Sequence, residues 1–82
     1  MNRQEVIIVL REVIKTCGDV IDLNYILLNP SAAQIRKNAR DYELLIKCIP
    51  TDLLRRCFAP ILEKHKLRMK ESKDSVIIYT PD

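Results

Sequence analysis

Leu67-Arg68-Met69-Lys70-Glu71-Ser72-Lys73-Asp74-Ser75-Val76-Ile77-Ile78-Tyr79-Thr80 changes the period of the chain. Before it, apolar residues recur every three or four positions. Within it, Leu67, Met69 and Glu71 alternate with Arg68 and Lys70, and Val76 to Thr80 is strongly β-prone. The stretch predicts a β-hairpin with Ser72-Lys73-Asp74-Ser75 as its polar tip. That tip lacks glycine, so a four-residue loop fits better than a two-residue primed turn.

Immediately upstream the period is helical. Leu53/Leu54, Cys57/Phe58 and Ile61/Leu62 recur every four residues, and His65 continues the row. Pro50 stops whatever precedes, and Thr51 is the expected cap. Pro60 removes a backbone donor, so a kink or break is expected near Phe58–Ala59. A longer helix is predicted from about Ser31 to Cys48. Asn29-Pro30 reads as its start, and Ile35, Ala39, Tyr42, Ile46 and Ile49 form its stripe. Arg36 and Arg40 would then share one face and repel mildly, while Glu43 and Lys47 would pair.

The first element is predicted as a helix from about Gln4 to Cys17. Asn2 and Glu5 resemble a capping box, and Val6, Leu10, Val13, Ile14 and Cys17 form the stripe. Gly18, the only glycine, falls where a left-handed helix end is common. A strand at Val6–Leu10 is the rival, and the length of the pattern argues against it. Asp19 to Asn29 suits either a short helix or an extended segment. As a strand it would join the hairpin as a third strand. The expected fold class is therefore α+β: three to four helices followed by a C-terminal two-stranded antiparallel β-hairpin, in one domain spanning 1–82.

Length and composition agree with a single small core. The chain has 82 residues, of which 48% are hydrophobic and 30% charged. No apolar run approaches the roughly 18–20 residues of a membrane span, and Val6 to Leu10 is too short for a secretory leader. Three widely spaced cysteines, Cys17, Cys48 and Cys57, make a poor disulfide framework and a poor zinc site. They point to an intracellular setting, cytoplasmic or nuclear. One glycine cannot build a phosphate loop. Cys57 and His65 are separated by roughly 12 Å of helical rise, too far for a nucleophile and its base. No catalytic, cofactor or metal site is expected.

Charge is unevenly distributed. The whole chain carries a net +3, but residues 36–70 hold ten basic residues against four acidic ones. A basic stretch of this kind is the footprint of a polyanion binder. The candidate nucleic-acid-binding residues are Arg36, Arg40, Arg55, Arg56, Lys64, Arg68, Lys70 and Lys73. Of the four aromatics, Tyr42 and Phe58 lie on predicted core stripes, so stacking on single strands is not the favoured mode.

A helix running from Asp52-Leu53-Leu54-Arg55-Arg56 to Leu62-Glu63-Lys64-His65-Lys66-Leu67, followed at once by a basic hairpin, resembles the end of a winged helix-turn-helix domain. The resemblance covers about the last third of the chain, and Pro60 departs from it. It implies DNA more than RNA: duplex bound in the major groove, in a regulatory role such as transcription. It puts Arg55, Arg56 and Lys64 near the DNA and Arg68, Lys70 and Lys73 on the wing. Arg55 is also similar to the arginine of the small single-strand-binding domain named for its Arg-x-x-x-His motif, but Ala59 stands where the histidine belongs.

The alternative reading is a protein-interaction or regulatory module, including a homodimer. Ile26-Leu27-Leu28, Leu44-Leu45-Ile46 and Val76-Ile77-Ile78-Tyr79 put large apolar residues on more than one face. The last strand could also pair with a partner edge to edge.

Overall fold

The computed structural model describes residues 1–19 and 32–81. In chain order it contains α1 (Arg3–Cys17), β1 (Ala33–Lys37), β2 (Tyr42–Ile46), α2 (Asp52–His65), β3 (Arg68–Glu71) and β4 (Val76–Tyr79). The four strands form one antiparallel sheet in the order β1-β2-β4-β3. Asp19 apart, the stretch from Asp19 to Asn29 lies outside the described residues, as does the Asn29-Pro30 helix start.

The terminal elements form where local signals put them. Asn2 accepts from the Glu5 amide at 2.8 Å, and Glu5 reaches back to the Asn2 amide at 3.4 Å, so a capping box opens α1. Val6, Val9, Val13 and Cys17 are its buried row. Thr51 caps α2 through the Leu54 amide at 3.1 Å. Leu54, Phe58 and Ile61 are buried on α2. The C-terminal hairpin turns through four residues, closed by the Ser72 amide on the Ser75 carbonyl at 2.8 Å.

Two local expectations fail. The helix runs through Pro60 without a break. Gly18 is right-handed (φ −60°, ψ −23°). The left-handed position is Lys66 (φ 55°), where the Lys66 amide bonds Glu63 O at 3.2 Å and the Leu67 amide bonds Leu62 O at 2.8 Å. This is a Schellman end. A non-glycine residue there costs roughly 1–2 kcal/mol. It turns the chain so that buried Leu67 leads directly into β3.

The larger correction concerns residues 31–48. The described part, 32–48, forms no α-helix, and among the described residues the architecture is not three to four helices with a two-stranded hairpin. Among the described residues there are two helices and a four-stranded sheet, so the winged-helix arrangement is not adopted. Ile35, Tyr42 and Ile46 satisfy a helical spacing, yet β1 and β2 read equally well with period two. Asn38 settles the turn between them: its side-chain oxygen accepts from the Arg40 and Asp41 amides, each at 2.9 Å, and its amide donates to Asp41 O at 2.9 Å. The other cause is distant. Alone, the C-terminal hairpin would leave the polar backbone edge of β4 unpaired; Leu44, Leu45 and Ile46 pair with Ile78, Ile77 and Val76 along it.

Register then divides the sheet into two faces. One row across all four strands is Ile35, Leu44, Ile78 and Met69; the next is Ala33, Ile46, Val76 and Glu71. Leu44, Ile46, Val76 and Ile78 are fully buried and join the apolar rows of α1 and α2 in one core. Both helices therefore cover this face. The opposite face carries Gln34, Leu45, Ile77 and Lys70 in one row, with Arg36, Glu43, Tyr79 and Arg68 in the next.

The helices are also tied by charge. Lys64 Nζ lies 2.8 Å from Glu12 Oε1, and His65 Nε2 lies 3.0 Å from Glu12 Oε2. Lys64 first, then His65, holds the Glu12 carboxyl below its usual value of 4.5. A carboxylate depressed in the folded state stabilises above its unfolded pKa and loses that contribution as pH falls through the folded one. Thermal melts at pH 6 and pH 3 are therefore expected to show a smaller drop in Tm for Glu12→Gln than for the native chain. Equal drops would mean that this helix-to-helix contact is not made in solution.

Candidate nucleic-acid interface

The eight candidate cations fall in different places. Arg55, Arg56 and Lys64 are on α2. Arg36, Arg68 and Lys70 are on the face of the sheet away from α1 and α2, which is helix-free among the described residues. Arg40 is in the β1–β2 turn and Lys73 in the β3–β4 turn, at the opposite end of the sheet.

On α2, two of the three cations that the winged-helix resemblance puts near DNA, Arg55 and Lys64, are held by carboxylates. Arg55 Nε lies 3.0 and 2.9 Å from the two oxygens of Glu71, and Nη2 lies 2.7 Å from Oε1. Its Nη1 reaches Asp52 at 2.7 Å. Glu71 ends an inward-facing row on edge strand β3, which is why it meets the helix. The Arg55 guanidinium holds the Glu71 carboxyl below the usual carboxylate range, and Glu71 raises Arg55. Lys64 is held by Glu12 as described. Only Arg56 of the three stands on α2 exposed and without an ion pair among the described residues.

The helix-free face differs. Its centre is apolar, with half-buried Leu45 and Ile77 paired across β2 and β4. Lys70 Nζ sits 5.1 Å above the ring centroid of Tyr79, within cation–π range. Arg68, directly opposite Tyr79, is exposed and has no ion pair among the described residues. Arg36 lies 3.6 Å from Glu43 across the β1–β2 pair. This replaces the expected Glu43–Lys47 helix pair. Three cations from two edge strands thus flank an apolar and aromatic strip.

At the β1–β2 turn end of this face is an open hollow of about 530 Å³. Tyr79 and Ile77 supply its apolar surface; Asn38, Arg40, Asp41, Glu43 and Lys70 are among its polar residues. Asp41 accepts from the Met1 ammonium, and the same ammonium donates to Thr80 Oγ1 at 2.6 Å. The ammonium is the main reason that the Asp41 carboxyl is held below its usual range. Asp41 is therefore an anion at neutral pH.

Tyr79, Leu45 and Ile77 were not among the candidate site residues. The available signal was period two in Val76–Tyr79, which puts Ile77 and Tyr79 on the face opposite Val76 and Ile78. Leu45 had no such signal while residues 31–48 read as a helix.

Cysteine chemistry is muted. Burial, reinforced by the facing thiol of Cys57, pushes the Cys17 thiol up to about 12, and burial pushes Cys48 up to about 11. Neither is a thiolate at neutral pH. Among the described residues no group of His, Cys, Asp and Glu is arranged to hold a metal, and no helix is long and apolar enough to cross a membrane. No protein-family model matches this chain, and neither a curated protein nor a solved structure matches it.

Proposed function

We propose that this domain binds nucleic acid through the helix-free face of its sheet. One observation carries the reading: Arg68 and Lys70 stand on that face beside Tyr79 without carboxylate partners among the described residues, whereas Arg55 and Lys64 on α2 are held in ion pairs. A phosphate can take Arg68 and Lys70 without first breaking an ion pair. The expectation of duplex DNA in the major groove rested on the winged-helix architecture and goes with it.

Binding of labelled DNA and RNA at about 50 and 200 mM salt tests the reading, because phosphate contacts weaken steeply as counterions compete. The double variant Arg68→Glu/Lys70→Glu is expected to bind more weakly and to lower the salt slope by about 2. Arg56→Glu, on the helix side, is expected to bind as the native chain does. The reverse result would move the surface to α2, and no binding at the lower salt would end the reading. The second reading, a protein-interaction module or homodimer, draws on Ile49, just before α2, and Leu53, in its first turn, which are 70% and 59% exposed. Salt-insensitive association without nucleic acid would favour it.

A further inference from the structure

We infer that the nucleic acid taken by this face is single-stranded, with one unpaired base seated on Tyr79 in the hollow beside the β1–β2 turn. The inference rests on the reading of the sheet face as a nucleic-acid surface and specifies what that surface recognises.

Shape is the first argument. Four strands span three spacings of about 4.8 Å, roughly 14 Å between edge backbones before side chains are added. The major groove of a B-form duplex is roughly 12 Å wide and admits a two-stranded ribbon or a helix. This sheet lies too broad to enter it, and both helices are on the other side. A single strand has no groove to fit and can lie across the sheet.

The hollow supplies the second argument. Its volume, about 530 Å³, falls within the roughly 300–1,000 Å³ typical of clefts that bind small organic groups. Tyr79 is half-buried there beside Ile77; Lys70 Nζ lies over its ring in the free protein, and seating a base means that this ammonium swings off the ring toward the phosphate. In a duplex the faces of each base are covered by its neighbours. Only an unstacked base offers its π-face to a tyrosine ring.

Charge gives the orientation. Asp41 and Glu43 line the hollow with Arg40 and Lys70, two acidic against two basic, so its lining has no formal net charge and suits an uncharged base better than a phosphate. Lys70 in its lining and Arg68 two residues along β3, opposite Tyr79, are placed to take the phosphate backbone. Glu43 then remains as an acceptor for the ring N–H or amino group of the seated base.

The test is fluorescence anisotropy at about 50 mM salt with a labelled mixed-sequence single strand of twelve nucleotides and the same sequence as a duplex. The single strand is expected to bind at least about tenfold more tightly. Loss of one stacking contact corresponds to a roughly 5- to 150-fold loss in affinity, which is expected for Tyr79→Leu; Tyr79→Phe is expected to stay close to native. Because a strand substitution can perturb folding, the native protein supplies a second readout: the Tyr79 ring protons are expected to shift upfield on adding the single strand. Unshifted ring protons with the strand bound, or native affinity in a folded Tyr79→Leu, would overturn the seat on Tyr79. Duplex bound as tightly as single strand would overturn the single-strand inference and leave the nucleic-acid reading standing. Failure of both probes to bind would overturn both.

Discussion

Phe58→Ala is expected to lower the unfolding free energy by about 3–5 kcal/mol, the usual cost of deleting a buried aromatic ring. Phe58 is fully buried, the largest side chain in the core, on the α2 face that meets the sheet. Leu44, Ile46, Leu54 and Ile78 are fully buried in the same core, so removing the ring leaves a cavity among them. Domains are typically stable by only about 5–15 kcal/mol, and one of 82 residues has a small core. The variant is therefore expected to populate the unfolded state measurably at 37 °C. Urea denaturation followed by circular dichroism checks this. A change below about 1 kcal/mol would remove Phe58 from the core.

A paired substitution tests the register. Ile78→Asp places a carboxylate on the helix-covered face, between Leu44 and Met69 and without a cationic neighbour in its row. An unpaired buried charge costs several kcal/mol, so this variant is expected not to fold at neutral pH. Ile77→Asp, one residue away, places the same carboxylate on the opposite face, directly across from Lys70. A cross-strand charge pair is favourable by a few tenths of a kcal/mol, and this variant is expected to fold with at most about 1 kcal/mol lost. A one-residue slip would reverse the two outcomes, because period two sends every side chain to the other face. Melting curves of the two variants decide it.

The parts of the fold that can be read from residues alone are those with short-range causes. The capping box at Asn2 and Glu5, the Thr51 cap, and the rows Val6-Val9-Val13-Cys17 and Leu54-Phe58-Ile61 involve partners within one or two turns. Residues 33–46 misled because Ile35, Tyr42 and Ile46 meet helical spacing, while Tyr42-Glu43-Leu44-Leu45-Ile46 suits a helix or a strand by composition. The Asn38 turn was the one local signal against a helix, and an arginine-rich helix with a plausible Glu43–Lys47 pair masked it. The candidate site was legible only as a list of cations. Which of them carry carboxylates is invisible in a linear charge count.

Local backbone chemistry therefore specifies α1, α2 and the four-residue hairpin turn, and their residues carry the evidence in the chain itself. The tertiary structure determines the rest. It pairs β2 with β4, thirty-odd residues apart, because an unpaired strand edge seeks the nearest β-competent segment. It also sorts the basic residues. Arg55 finds Glu71 sixteen positions on, and Lys64 finds Glu12 fifty-two positions back. Arg68 and Lys70 meet no carboxylate among the described residues and come to lie beside Tyr79. Caps and periodicity act within a turn or two, whereas strand pairing and ion pairing are settled only when distant segments are brought within a few ångströms.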